Sequence, residues 1–331
     1  MNWLFGSGNG RLWAPFFVLA MLPASGPAQE SFAIGLPLAC TSEQGCYIRQ
    51  LVDGDPRDGV VEDYTCGRLA NDGHTGTDFA LPTLAEMREG VTVRAVASGV
   101  VRGVRDGMPD ISAIDPNAPD LAGRECGNGV VISHGDGWES QYCHLRKGSV
   151  AVASGAHLAE GDVLGLVGMS GEATFPHVHF TLRKDGKTID PFNPDGSVCG
   201  GETPALWRTP PDHQEAGLVT IGFSNRVPSI EDVTSGIGSL ETMRSGAPAL
   251  ILWAYAYEVQ AGDELRLEIN GPGLEIPPGE AVLDETRRWM LRFNGKRAPA
   301  DGWPTGGYIG RAQLVRDGKL LSEQSVELEI D

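Results

Sequence analysis

Apolar residues in this chain fall in short runs separated by Gly, Asp, Asn and Pro. Alternation of apolar and polar residues over such a run predicts a half-buried β-strand, because successive side chains of a strand point to opposite faces. Helical periodicity is not convincing anywhere in the first two thirds of the chain, so the pattern predicts an all-β fold. The strands predicted there lie at 79–81, 91–96, 99–104, 129–134, 139–142, 163–167 and 178–183.

The last third of the chain repeats this pattern after residues 200–214, a proline-containing stretch that we interpret as a linker. Several strands separated by turn signals are typical of a β-sandwich. We therefore predict a first domain at residues 29–202 and a second, immunoglobulin-like β-sandwich domain at residues 203–331. The strands predicted in the second domain lie at 218–223, 249–255, 264–269, 288–293 and 325–330.

The chain is acidic, with a formal net charge of -18. Nucleic acid is disfavoured as a partner, because phosphate binding requires a basic footprint. Adsorption to anionic lipid is disfavoured for the same reason. The charge itself is best interpreted as a contribution to solubility.

The first 28 residues resemble a secretion signal. Arg11 ends a weakly basic segment, and residues 12–22 form an apolar run that is too short to span a bilayer comfortably. Small residues follow, so we expect cleavage after Ala28, with Gly26 as the alternative site; an uncleaved anchor is the competing interpretation. No later segment is long and apolar enough to be transmembrane. The mature protein is therefore expected outside the cytoplasm, with the periplasm favoured and secretion into the medium as the alternative.

Six cysteines fit an exported protein, in which an even number suggests disulfide bonds. A zinc–thiolate site is the competing interpretation, but no Cys-x-x-Cys spacing supports it. Cys40 and Cys46 are close in sequence, Cys126 and Cys143 flank a predicted hairpin, and Cys66 and Cys199 remain to join the two ends of the first domain.

Two clusters stand out because the chain has only 7 histidines. His74 and Asp78 are separated by a segment containing Gly76, which disfavours a helix and places both side chains where a loop enters a strand. His177 and His179 are spaced i, i+2, so both imidazoles share one face of a strand. Either cluster alone is weak evidence, since the first would ordinarily cap a turn and the second would face solvent.

His144, at the end of a predicted strand, would by itself be interpreted as a structural residue. Taken together, these groups supply what a catalytic zinc ion requires, namely His and carboxylate ligands with a fourth position left open. Such an ion lowers the pKa of its bound water to about 7 and polarises the scissile carbonyl. Unliganded histidines nearby can then move protons and stabilise the oxyanion.

The order of these motifs resembles that of the lysostaphin/LytM-type zinc endopeptidases of peptidoglycan, which have a duplicated hybrid motif fold. The resemblance covers residues 70–195. The segments that carry it are Gly73–Asp78, Val93–Val104, Val130–His134, Tyr142–Leu145, Gly161–Gly165, Gly168–Gly171, His177–Phe180 and Ile189–Pro191.

The resemblance implies a specific site. Its zinc ligands would be His74, Asp78 and His179, and its catalytic histidines beside the metal would be His144 and His177. It implies an antiparallel β-sheet groove with the metal at its floor. The implied substrate is a cross-bridge or stem peptide of peptidoglycan.

The chain departs from the family pattern at three places. Phe175 stands where the family often has glycine, Thr181 stands where glutamate is common, and the insertion at residues 108–125 is longer than usual. These departures remove no implied ligand or catalytic histidine but are expected to alter the groove. The remaining histidines have no partner in this scheme and are interpreted as structural or surface residues: His134, His157 and His213.

A zinc endopeptidase acting on peptidoglycan is the favoured function. The main alternative is a non-hydrolytic activator of cell-wall amidases, since some relatives keep the fold and lose ligands, whereas this chain keeps all five implied positions. A second is an envelope-binding protein whose C-terminal sandwich binds an envelope protein or the cell wall. A third is a peptidase that acts on proteins.

Overall fold

The computed structural model describes residues 32–40, 45–201, 204–279 and 281–331, together with Trp3 and Gly6. The chain divides into two units, Met1–Phe32 and Ala33–Asp331. The proposed export signal at residues 1–28 lies outside the described residues, apart from Trp3 and Gly6. Among the helices that are described, none has the length and apolar character needed to cross a membrane.

The peptidase-like part of Ala33–Asp331 is built almost entirely from short strands. In chain order its elements are β1 (Tyr47–Gln50), β2 (Thr77–Ala80), α1 (Leu84–Glu89), β3 (Thr92–Arg94), β4 (Gly99–Arg105), β5 (Asn128–Gly135), β6 (Trp138–Leu145), β7 (His157–Leu158), β8 (Val163–Leu166), β9 (His177–Lys184) and β10 (Lys187–Ile189).

An eight-stranded antiparallel sheet forms the body of this part, in the order β1-β2-β9-β6-β5-β4-β7, with β10 paired to β9. Strands β3 and β8 pair separately. The sheet confirms the predicted antiparallel β-fold. Its central strands β2, β9 and β6 are neighbours, although they are distant in sequence, and this neighbourhood brings the candidate site residues together.

One face of β9 is buried, as its alternating pattern predicts. Val178, Phe180 and Leu182 are each at most 1% exposed. The Phe180 ring lies 5.5 Å from Tyr142 and 5.7 Å from Trp207, measured between ring centroids. Burying one such aromatic ring contributes about 2–3 kcal/mol, so the core holds β9 with its other face, which carries His177 and His179, towards the groove.

The second part of the chain contains two facing sheets. Its elements are β11 (Gly217–Ser224), α2 (Ile230–Ser235), β12 (Thr242–Met243), β13 (Ala249–Val259), β14 (Glu264–Gly271), β15 (Leu274–Ile276), β16 (Arg287–Arg297), β17 (Gly306–Arg316) and β18 (Lys319–Ile330). The sheets have the orders β11-β13-β16 and β12-β18-β17-β14-β15. Both contribute to one hydrophobic core, which gives the predicted β-sandwich.

The segment between the two parts packs against the first sheet. Trp207 is 4% exposed, and its ring lies 6.0 Å from Phe79 on β2 and 5.5 Å from Phe192. The backbone N–H of Leu206 donates to the Pro191 carbonyl at 2.8 Å. The domain boundary at residues 202 and 203 stays a prediction.

Eight elements of the structure escaped the sequence patterns: the strands β1, β7, β10, β12, β15 and β17 and the helices α1 and α2. Strand β17 begins with Gly306 and Gly307, which hide its alternation. Helices α1 and α2 each have six residues, too few to show a helical period. Both begin with a capping box, Thr83 with Glu86 and Ser229 with Asp232, and that spacing is the signal that could have revealed them.

All six cysteines are described, and each forms a disulfide bond. The bonds join Cys40 to Cys46, Cys66 to Cys199 and Cys126 to Cys143, the same pairs that the sequence suggested. The second bond closes a sequence separation of 133 residues. Cross-linking so long a loop removes conformational entropy from the unfolded chain, which favours the folded first part.

Candidate metal centre

His74, Asp78 and His179 meet on the groove side of the central strands. Asp78 on β2 lies directly opposite His179 on β9 in the strand register. The Oδ1 atom of Asp78 is 2.8 Å from Nδ1 of His179 and 3.3 Å from Nε2 of His74. The potential ligand atoms of the three residues all lie within 4.8 Å of one another. Two residues close in sequence, His74 and Asp78, therefore meet a third, His179, that lies 101 positions away from Asp78 along the chain.

Gly76 is required by this convergence. A Cβ atom at this position would lie 2.6 Å from His179 Nε2 and 2.6 Å from the Phe180 carbonyl oxygen. Real Cβ contacts essentially never fall below 3.0 Å. Any larger residue would push His179 away from the loop, so the glycine lets the His74 loop pass close over β9.

Hydrogen bonds at the outer edge of the cluster fix which ring nitrogens face inward. His74 Nδ1 donates to the Leu51 carbonyl at 2.7 Å, because a carbonyl can only accept, and this leaves Nε2 of His74 facing Asp78. Nε2 of His179 lies 3.0 Å from the Thr181 hydroxyl oxygen, which leaves Nδ1 of His179 towards Asp78. Outer partners of this kind orient metal-binding histidines.

His144 and His177 stand beside the cluster. Their ring centroids are 4.6 Å apart, and Nε2 of His177 is 3.7 Å from Asp78 Oδ1. Nδ1 of His144 donates to the Ser170 carbonyl at 2.7 Å, and Nδ1 of His177 donates to the Phe175 carbonyl at 2.9 Å. In both rings the free lone pair is therefore on Nε2.

The backbone of His144 adopts the left-handed region, with φ of 62°. Such a conformation is uncommon for a residue other than glycine and is held by its surroundings. Here the Ser170 hydroxyl donates to the Leu145 carbonyl at 2.7 Å and accepts from Asn128 N–H at 2.9 Å. Asn128 and Ser170 are fully buried, and the sequence patterns missed both as supports of His144.

Burial and neighbouring charges determine the protonation of His144 and His177. Burial, together with the nearby His177 and His179, lowers the pKa of His144 to about 3. Burial also lowers the pKa of His177, against the opposing charge of Asp78. Both rings are therefore neutral at pH 7, and each offers a lone pair that can accept a proton.

The pKa of the acidic member of the cluster is lowered as well, but by neighbouring charges and hydrogen bonds rather than by burial. Burial alone would raise the pKa of Asp78, but the charges of His74 and His177 and the hydrogen bonds from His179 and His74 hold it well below its usual range. For His74, burial lowers the pKa, but the Asp78 charge outweighs it, so the net shift is upward. An ionised carboxylate among imidazoles has the charge and donor chemistry of a cation site.

The site lies in an open groove with a volume of about 730 Å³. Its walls include Glu125 at the end of the predicted insertion, Gln141, Thr181 and Arg183. The insertion is tied to the segment that supports His144, since Asp110 accepts from the Met169 N–H at 2.8 Å. The groove is lined by several side chains that can form hydrogen bonds.

The histidines interpreted as structural have other surroundings. His134 contacts the Ser98 carbonyl and the Ser140 hydroxyl at 2.8 Å and 2.7 Å. His213 packs against Tyr64, with ring centroids 5.5 Å apart. His157 lies on the edge strand β7.

The donor set fits a small divalent ion. Two imidazole nitrogens and one carboxylate oxygen match the ligands of catalytic zinc sites. Among the described residues, this is the one group of at least three His, Cys, Asp or Glu side chains placed to hold a metal. The fold and the site together define a β-sheet groove with a candidate His-Asp-His metal site and two neutral histidines at its side.

Comparison with known proteins agrees with this class. Residues 72–191, which include all five site residues, match the family model of peptidase family M23, so this part of the chain is an M23 peptidase domain. The chain is 33% identical over 122 residues to the DD-carboxypeptidase/endopeptidase Mpg of Neisseria meningitidis serogroup B, covering 36% of this chain and 22% of that protein. It is 33% identical over 117 residues to the peptidoglycan DD-endopeptidase ShyA of Vibrio cholerae, covering 35% of this chain and 22% of that protein.

The matched stretch thus spans about a fifth of the length of these curated relatives. Among solved structures, the chain is similar to the catalytic domain of the prophage-encoded M23 protein EnpA from Enterococcus faecalis. The two are 26% identical, with 47% of this chain and 92% of that chain covered and a TM-score of 0.31.

Proposed function

We propose that this protein is a zinc-dependent endopeptidase that hydrolyses peptide bonds in bacterial peptidoglycan. The observation that carries the proposal is the convergence of five side chains in one groove. Three of them offer ligand atoms within 4.8 Å of one another, and the other two are buried imidazoles with a free Nε2 beside them. A solely structural metal site would not need the two additional neutral histidines.

A zinc ion at this site would be held by His74, Asp78 and His179 and would supply Lewis acidity for the scissile carbonyl and a water molecule of lowered pKa. His144 and His177 would transfer the protons. With Nδ1–H fixed on a backbone carbonyl, each ring can take a proton on Nε2 from the attacking water and pass it to the leaving amine. Because both rings are neutral at pH 7, each can accept a proton.

Peptidoglycan is proposed as the substrate on two grounds. Two relatives that share the matched segment are named as peptidases of this class, one of them explicitly a peptidoglycan endopeptidase. The groove is open and lined by polar side chains, which suits an extended peptide with many amide groups.

The same proposal places the protein outside the cytoplasm, with the periplasm favoured. Three disulfide bonds are consistent with an oxidising compartment. The apolar segment near the N-terminus is consistent with an export signal. An envelope protein that binds the C-terminal sandwich stays a prediction.

The test is digestion of purified sacculi by the zinc-loaded mature protein, with identification of the released muropeptides. We expect new amino and carboxyl termini within the peptide part and an intact glycan. Hydrolysis should disappear on zinc removal and return on its addition. A protein that binds no zinc and cuts nothing, but stimulates a cell-wall amidase, would instead support the activator function.

A further inference from the structure

The Phe175 side chain lies between the C-terminal sandwich and the site. This residue stands where the peptidase family often has glycine, so its ring is a feature of this chain. The ring stacks on His177 with centroids 4.4 Å apart and an interplanar angle of 24°. Its carbonyl oxygen accepts from His177 Nδ1 at 2.9 Å. Phe175 therefore touches His177 both by its ring and by its backbone.

The other side of Phe175 meets the sandwich. Trp289 on β16 packs edge-to-face on the Phe175 ring, with centroids 6.0 Å apart and an interplanar angle of 67°. Trp289 is itself stacked on Tyr255 of β13, with centroids 5.2 Å apart and planes inclined by 4°. Strands β13 and β16 pair from Ala249 opposite Arg297 to Val259 opposite Arg287, so Trp289 belongs to a regular antiparallel strand pair.

A buried cation on the first sheet contacts the Trp289 ring. The guanidinium of Arg49 on β1 lies 4.6 Å from the Trp289 ring centroid. Arg49 is 2% exposed, and its Nη1 atom is 2.9 Å from Glu258 Oε1 on β13. A buried guanidinium without its carboxylate would be strongly unfavourable, so this pair keeps the sandwich and the first sheet in one relative position.

A second contact joins β16 to the loop that carries His74. Arg288, next to Trp289, donates to the Asn71 side-chain carbonyl. The Asn71 backbone carbonyl in turn accepts from the His74 N–H at 3.0 Å. Strand β16 thus contacts the His177 side of the proposed metal centre through Trp289, and the His74 side through Arg288.

We infer that the C-terminal sandwich is a working part of the peptidase site, in which Trp289 positions His177 by fixing the ring of Phe175. The inference rests on the proposed function. Residues 170–176 contain no strand, so the Phe175 ring depends on Trp289 for its orientation. Without Trp289, the Phe175 ring and the Phe175 carbonyl would move together. These two groups set the tautomer and the orientation of the His177 ring. Trp289 and Phe175 are positioning residues, since neither is placed on the reacting atoms.

The experiment compares Trp289→Ala, Phe175→Ala and the double variant in the full mature protein. The control is Phe293→Ala, which removes an aromatic ring 53% exposed on the same strand. Zinc content, kcat and KM on a soluble peptidoglycan peptide, and the ¹⁵N signals of the His177 ring are measured. We expect zinc to stay at wild-type content and KM to change little, while kcat falls roughly 10-fold to 100-fold in each single variant.

The double variant tests whether Trp289 and Phe175 act through the same contact. The double variant should be no slower than the slower single variant, because both act through one contact. Trp289→Phe should recover most of the lost kcat. The His177 signals should lose their single Nδ1–H tautomer in Trp289→Ala and keep it in Phe293→Ala.

Wild-type kcat together with unchanged His177 signals in Trp289→Ala would overturn the inference. If Trp289→Ala does not fold, Phe175→Ala supplies the variant that loses the contact, and Trp289→Phe supplies the variant that keeps it. If the wild-type protein cuts no peptidoglycan, the proposed function fails, and the His177 signals still decide whether Trp289 positions that ring.

Discussion

Asp78 and His179 face each other across the β2–β9 pair, with Asp78 Oδ1 and His179 Nδ1 2.8 Å apart. A cross-strand pair of this kind fixes both Cβ positions by the register of the sheet. His74 approaches the pair from a loop and relies on the Leu51 carbonyl for its orientation. The site is therefore anchored on its two strand residues.

Asp78→Ala should abolish tight metal binding. The change removes the one anionic ligand and leaves two imidazoles, so both charge and coordination are lost. Zinc affinity, measured by competition with a chelator of known affinity, should fall by about 100-fold or more. Asp72→Ala, which removes an exposed carboxylate from the same loop, is the control and should leave the affinity near that of wild type. Retention of wild-type affinity by Asp78→Ala would exclude it as a ligand.

His144→Ala should separate catalysis from metal binding. The three proposed ligands remain, so zinc should stay at about one ion per chain. Turnover of peptidoglycan should fall roughly 100-fold or more, the scale of losing a positioned proton-transfer group. His177→Ala should behave similarly, with some loosening of the metal because Nε2 of His177 is 3.7 Å from Asp78. Loss of zinc by His144→Ala would show that our assignment of roles is wrong.

Thr181→Val should weaken the metal site without touching a ligand. Valine keeps the shape of threonine but removes the hydroxyl that lies 3.0 Å from His179 Nε2. Loss of such an outer hydrogen bond typically costs about 10-fold to 100-fold in metal affinity. Thr181→Ser retains a hydroxyl and should bind zinc nearly as wild type does. Equal affinities for the valine and serine variants would assign Thr181 a packing role only.

Asp190→Asn should change how stability depends on pH. Burial raises the pKa of Asp190 from 3.8 to about 6, so the folded protein favours the protonated form. Its stabilising contribution is complete below the unfolded pKa near 4 and is lost as the pH rises through 6. An asparagine stays neutral and can still accept from the Phe192 N–H, as Asp190 does at 2.9 Å.

We therefore expect the variant to be more stable than wild type at pH 7, by about 1–2 kcal/mol, and to match it more closely at pH 4. Urea unfolding across this pH range measures the difference. Asp195→Asn, at an exposed position nearby, reports the effect of simply removing one negative charge. Parallel curves for Asp190→Asn and wild type would contradict the prediction.

Local features of this protein could be predicted from its amino-acid sequence. Alternation predicted most strands, and the i, i+2 spacing of His177 and His179 placed both rings on one face of β9. The motif order led to the M23 peptidase class, and cysteine spacing suggested the pairs that the structure joins. Each of these depends on a few consecutive residues, or on an order of motifs that is visible without knowing what packs against what. The six-residue helix α1 was within reach too, through the capping box of Thr83 and Glu86.

Which distant segments meet is visible only in the folded structure. Nothing near Trp289 in the sequence shows that it packs on Phe175. The support of His144 by Ser170 and Asn128 is likewise invisible along the chain. Side-chain alternation encodes which face of a strand a residue occupies, whereas strand neighbours and domain contacts depend on the packing of the whole core, which no short segment contains.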